Sequence, residues 1–186
     1  MHALYTYLKC LPLTAGFIFK TPPSLADLAS AKLSFSSSLS PALIADTHAI
    51  VLASKLPTLP LQTYTADGTI YCTASTPDEV TLMNRYEILT GTKQRQVTFL
   101  ELLDIEKTTP FNKMLVLTGD DRVTQVHDLL KAGLHEKHEC TLIKGSPSWF
   151  VEVLPTRANK GEGVKRMCKD VLGMDIGESV GGLLRE

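Results

Sequence analysis

From Pro41 onward, apolar and polar positions alternate between helical and extended spacing. Ala42 to Leu56 reads as a helix, with Leu43, Ile44, Ile50, Val51 and Leu52 available for a core face. Pro57 and Pro60 end it, because neither can continue a helical ladder. Leu61-Gln62-Thr63-Tyr64 and Ile70-Tyr71-Cys72-Thr73 are alternating runs around Asp67-Gly68. That is a hairpin signal, with glycine supplying a positive φ. Thr76-Pro77-Asp78-Glu79 is a capping box with proline at the first helical position and acids in the first turn. The helix it opens runs to about Leu89, with Gly91 as its C-cap.

In the next stretch, Val97 and Phe99 suggest a short strand and Leu100 to Ile105 a short helix. Lys113-Met114-Leu115-Val116-Leu117-Thr118 is a continuous apolar run, the mark of a strand inside a sheet. Gly119-Asp120-Asp121 turns the chain. Arg122 to Ala132 forms a helix with Val123, Val126, Leu129 and Leu130 facing inward, and Gly133 ends it. Strands 140–144 and 148–154 close the unit around Gly145-Ser146-Pro147. The pattern predicts an α+β fold, a mixed sheet with helices on one face, and shows neither an internal repeat nor a long linker.

The last strand leads into the most informative segment. Phe150-Val151-Glu152-Val153-Leu154-Pro155 is followed by a polar turn and by Asn159-Lys160-Gly161. Val164, Met167, Cys168, Val171 and Leu172 then recur at helical spacing. Asn159 is a good N-cap residue. Lys160 is then at a helix start, where a cation is mildly unfavourable unless an anion is there too. Free N–H groups plus an ammonium make a phosphate site, so Lys160 is the leading candidate for a functional residue. Arg157 and Asn159 lie close enough in sequence to touch the same phosphate.

This segment, Phe150-Val-Glu-Val-Leu-Pro, Asn159-Lys160-Gly161, Val164-Lys165 and Leu172-Gly173, resembles the haloacid-dehalogenase-like (HAD) hydrolase superfamily in its Cof-type, class IIB sugar-phosphatase branch. The resemblance covers residues 42–178. It implies a cap-like domain over 41–154 and the start of the returning α/β core over 155–186, with 1–40 a leader that matches nothing recognisable. It also implies that Lys160 is the lysine of the third catalytic motif, steadying a nucleophilic aspartate and the substrate phosphate, with Mg2+ as cofactor. The family's Asp-x-Asp nucleophile pair and its Gly-Asp-x-x-Asn-Asp magnesium segment do not occur in this sequence.

Several residues mimic those motifs. Thr65-Ala66-Asp67-Gly68-Thr69 looks like Asp-x-Asp-Gly-Thr with its first aspartate replaced by threonine. It falls inside a hairpin, and Thr65 is a weak nucleophile without an adjacent base. Gly119-Asp120-Asp121 echoes the magnesium motif but stands between a strand and a helix, where aspartates commonly mark turns. His135, His138 and Cys140 lie close together without a second cluster to complete a closed metal site. Glu152 is read as structural, either paired with Lys160 or Arg157 or facing solvent. Trp149 and Phe150 are read as core, with a substrate entrance as the alternative.

Bulk properties narrow the classes. Hydrophobic residues make up 44% and charged residues 21%, as in ordinary globular proteins. A net charge of −1, without a basic stripe, argues against nucleic acid as partner. The apolar run Leu11 to Phe19 is too short to span a bilayer, so no membrane partner is expected. Cys10, Cys72, Cys140 and Cys168 are widely spaced, which favours reduced thiols and a cytoplasmic location. The Ser- and Ala-rich stretch 21–40 leaves organelle targeting open.

Two functions follow. One is a Mg2+-dependent phosphatase acting on a small phosphorylated metabolite such as a sugar phosphate, with this chain inactive alone because nucleophile and metal ligands are missing. The other is a non-catalytic cap-domain fragment or pseudoenzyme. The chain's end near an expected core strand favours truncation, and exposed apolar surface would then promote self-association.

Overall fold

The computed structural model describes residues 18–19, 33–35, 37–57, 59–156, 158, 160–166 and 169. The chain divides into two compact units, one of residues 38–156 and one of 1–37 with 157–186. In the second unit, β1 (Ile18–Phe19) pairs antiparallel with β2 (Leu33–Phe35).

The unit 38–156 contains a six-stranded mixed sheet and four helices. Its first helix, α1 (Pro41–Ala53), starts where the Ser40 side chain accepts the Leu43 N–H at 3.1 Å. It ends before the prolines, at Ser54, and Lys55 then takes a positive φ of 55°. Strands β3 (Leu61–Thr65) and β4 (Ile70–Cys72) form the expected hairpin, with Gly68 at φ 85°. The capping box of Thr76 and Glu79 opens α2 (Pro77–Thr90), which Gly91 terminates in the left-handed conformation.

The next segment departs from the sequence reading. The strand here is β5 (Arg95–Gln96), and Phe99 begins helix α3 (Phe99–Glu106) instead of belonging to a strand. The reason is a second capping box: Thr98 Oγ1 accepts the Glu101 N–H at 3.2 Å, and Glu101 Oε2 accepts the Thr98 N–H at 2.7 Å.

Strand β6 (Phe111–Leu117) is buried at every position, as its continuous apolar run requires. Helix α4 (Val123–Leu134) runs through Gly133, where the sequence suggested an end. A Cβ at Gly133 would meet Ile50 Cδ1 at 2.6 Å, so this glycine allows α4 to approach α1 closely. Strands β7 (Cys140–Lys144) and β8 (Phe150–Pro155) complete the sheet.

The strand order is β5-β4-β3-β6-β8-β7, antiparallel throughout except for the β4–β5 pair. β3 and β6 are the two central strands, and β6 lies inside the sheet as its apolar run predicts. Side chains alternate across each strand. Val116, Met114, Val151 and Val153 therefore share one face with Leu61, and there they pack against Ile44 of α1, Leu102 of α3 and Val126 and Leu130 of α4. Leu115, Leu117 and Phe150 point the other way, where Tyr86 of α2 joins them with Tyr64, Ile70 and Trp149, so helices lie on both faces of the sheet where the sequence pattern predicts one. A fifth helix, α5 (Lys160–Arg166), follows β8 in the chain and belongs to the other unit.

Candidate functional site

Of the residues singled out from the sequence, Lys160 is the first residue of α5, as the N-cap signature predicts. β8 ends at Pro155, so an apolar strand passes into the lysine-led helix within a few residues. Arg157 and Asn159 lie outside the described residues.

Among the motif mimics, Asp67, Asp120 and His138 are engaged in structure. Asp67 Oδ1 accepts from the Thr65 hydroxyl and, at 3.0 Å, from the Thr69 N–H, which closes the hairpin turn. The Thr65 and Thr69 hydrogen bonds hold the Asp67 carboxyl below its ordinary range. Asp120 receives both guanidinium nitrogens of Arg85 at 2.9 and 3.0 Å, tying α2 to the turn before α4. His138 is 2.8 Å from Asp46 of α1, and this contact comes first among the causes that keep Asp46 below its usual value. Among the described residues, no three His, Cys, Asp or Glu side chains come together in a way that could hold a metal ion. They do not fit the magnesium that the resemblance implies. Cys72 is buried, and burial pushes its thiol up to about 12, so it is no nucleophile near neutral pH.

A polar group missed by the sequence reading occupies the α2-side face of the sheet. Cross-strand register lines up Gln62, Leu115 and Glu152 in one row across β3, β6 and β8, and places Tyr64 beside Lys113. Lys113 Nζ lies 3.7 Å from Glu152 and 4.3 Å from the centre of the Tyr64 ring. Gln62 Nε2 donates to the Tyr64 hydroxyl at 2.7 Å. Burial lowers the Lys113 pKa, and the Glu152 carboxylate opposes that shift. Burial also raises the Tyr64 phenol. Among the described residues Lys113 is the ion-pair partner of Glu152; the alternatives suggested by proximity in sequence, Arg157 and the Lys160 side chain, lie outside what is described. Lys113 and Glu152 are each the single charged residue of their strand, a signal already present in the sequence. Trp149 and Phe150 are buried and meet edge-to-face at 5.3 Å, in keeping with core packing.

No protein-family model matches the chain, and neither does any curated protein. Solved structures do. A Thermotoga maritima protein superposes with a TM-score of 0.63 at 14% identity, over 86% of this chain and 52% of its own length. A haloacid dehalogenase-like hydrolase from Bacteroides thetaiotaomicron gives 0.60 at 18% identity, over 78% of this chain and 50% of its own. A HAD subclass IIB sugar phosphatase gives 0.54 at 12% identity, over 79% and 49%. This chain thus spans about half the length of the structures it matches. At such identities the likeness is one of fold.

Proposed function

On a fold shared with HAD-superfamily hydrolases, we propose that this chain is the cap-bearing part of a phosphate-ester hydrolase, and that Lys160 is its contribution to phosphate binding. The observation that carries this reading is the passage of β8 into a helix whose first residue is Lys160. In phosphoryl transfer the protein mainly positions the group and neutralises its charge, and a lysine at the phosphate supplies one such charge. The matched sugar phosphatase makes a sugar phosphate the first substrate to try.

The chemistry also needs a nucleophile and, in the family, magnesium. Neither Asp-x-Asp nor Gly-Asp-x-x-Asn-Asp occurs in the sequence, and Asp67 and Asp120 are occupied with a hairpin and an ion pair. A lysine alone supplies charge but no covalent route. This polypeptide by itself is therefore proposed to bind a phosphate ester without hydrolysing it.

The test is hydrolysis of p-nitrophenyl phosphate in the presence of magnesium, alongside binding of inorganic phosphate, for the chain and for Lys160→Ala. The expected result is phosphate binding that the variant loses, with no turnover from either. Turnover abolished by Lys160→Ala would overturn the inactivity and give a dismissed carboxylate, Asp67 first, a catalytic role. Equal phosphate binding by both proteins would remove Lys160 from the site.

A further inference from the structure

A cleft of about 760 Å³ opens within the unit 38–156, between the C-terminal end of α1 and the starts of α2 and α3. We infer that it binds a small organic cation with a flat apolar body, an aryl-alkyl amine in chemical class. This proposal is independent of the phosphate reading. Three properties of the lining carry it.

The first is size and floor. The volume lies within the roughly 300–1,000 Å³ of small-molecule sites. Buried Val51, Leu59 and Leu61 form an apolar base. The second is a flat wall: the His48 ring stacks on Phe99 at 3.4 Å with an interplanar angle of 8°. Burial lowers the His48 pKa, so that wall is uncharged near neutral pH.

The third is the sign of the charge. Neither lysine nor arginine lines the cleft, whereas Glu79 and Glu101 do. Each carboxylate uses Oε2 in its capping box, Glu79 for Ser75 and Thr76, Glu101 for Thr98. Each keeps Oε1 without a hydrogen-bond partner among the described residues. Burial pushes the Glu79 carboxyl up, but the hydrogen bonds from Ser75 and Thr76 outweigh it and the net shift is downward. The Thr98 hydrogen bonds hold Glu101 down as well. Both acids thus stay ionised at neutral pH. Two carboxylates disfavour an anion, and an ammonium on an aromatic body satisfies floor, wall and rim at once.

The test titrates the full chain with 2-phenylethylamine and, separately, with phenylacetate, following backbone amides by NMR. The pair shares a ring and differs in charge. The amine is expected to shift the amides of Ser75, Gln96 and Thr98 saturably, less strongly as salt rises, while phenylacetate does not. Glutamine also serves in a capping box. Glu79→Gln with Glu101→Gln should therefore keep both helix starts and weaken the amine about tenfold, as loss of a charged hydrogen bond implies. If that double variant fails to fold, each single substitution is read alone, with a smaller loss expected. Absence of saturable shifts, equal binding of phenylacetate, or unchanged affinity in the folded glutamine variants would each overturn the proposal.

Discussion

Gly145 donates its N–H to the Phe150 carbonyl at 2.9 Å, and a Cβ on Gly145 would clash with Cε2, Cδ2 and Cζ of the Phe150 ring. The ring is held on its other sides by Tyr86 and Trp149, at centroid distances of 5.5 and 5.3 Å, so it has little room to turn away. Gly145→Ala is expected to destabilise the fold by about 1–3 kcal/mol, the usual range for overpacking. Urea unfolding of the single variants and of Gly145→Ala with Phe150→Leu would check the cause. The double variant should cost less than the sum of its parts.

The Lys113–Glu152 pair is nearly closed to water, with side-chain exposures of 6% and 13%. Removing one partner leaves a buried charge without compensation. Lys113→Met or Glu152→Leu alone should cost about 3 kcal/mol or more, and both together should cost less than either alone. A double-mutant cycle in denaturant gives the answer. Simple additivity would show that the two charges are screened from each other.

Thr98→Ala removes the side chain that caps α3 while leaving the sheet untouched. A loss of about 1 kcal/mol is expected, accompanied by faster amide exchange at Glu101 and Leu102. Unchanged exchange there would mean that α3 is held by packing of Leu102 and not by its cap.

Acidification should destabilise the unit in a defined window. Asp46, Asp67, Glu79, Glu87, Glu101 and Asp128 all have folded pKa values below their ordinary 3.8 or 4.5. Depressed acids stabilise the fold fully above those ordinary values and lose the contribution as pH falls through the folded ones. Burial also lowers the His48 pKa below its ordinary 6.5, so the melting temperature should begin to fall as pH drops below about 6.5 and fall further below pH 4.5, a change readable by circular dichroism. A flat profile down to pH 3 would mean that the unfolded chain holds these acids equally low.

Much of this fold is written locally. Asp67-Gly68 between alternating runs, Thr76 three residues before Glu79, and the apolar run of β6 each carry their own physics, and each stands in the structure as the sequence implies. The failures share a cause. Gly133 looks like a helix stop until Ile50 of a distant helix is placed against it. Val97 and Phe99 mimic a strand because Thr98, between them, is a cap that only its bond to Glu101 reveals. The start of α5 at Lys160 is legible from its capping pattern. The cleft is not, because its wall and rim come from separate elements that meet only in three dimensions.

The two outer strands of the sheet differ in what they offer a neighbouring chain. β5 consists of two exposed residues, Arg95 and Gln96, and the Arg95 guanidinium lies over Tyr71, so that border is short and guarded by charge. β7 runs for five residues with Ile143 exposed, while Lys144 reaches back to Thr124 of α4 instead of standing guard. Unpaired backbone on an outer strand is a template for intermolecular pairing, and charge or brevity is what suppresses it. Aggregation by strand addition would accordingly start along β7, and a lysine at Ile143 is the change that would blunt it.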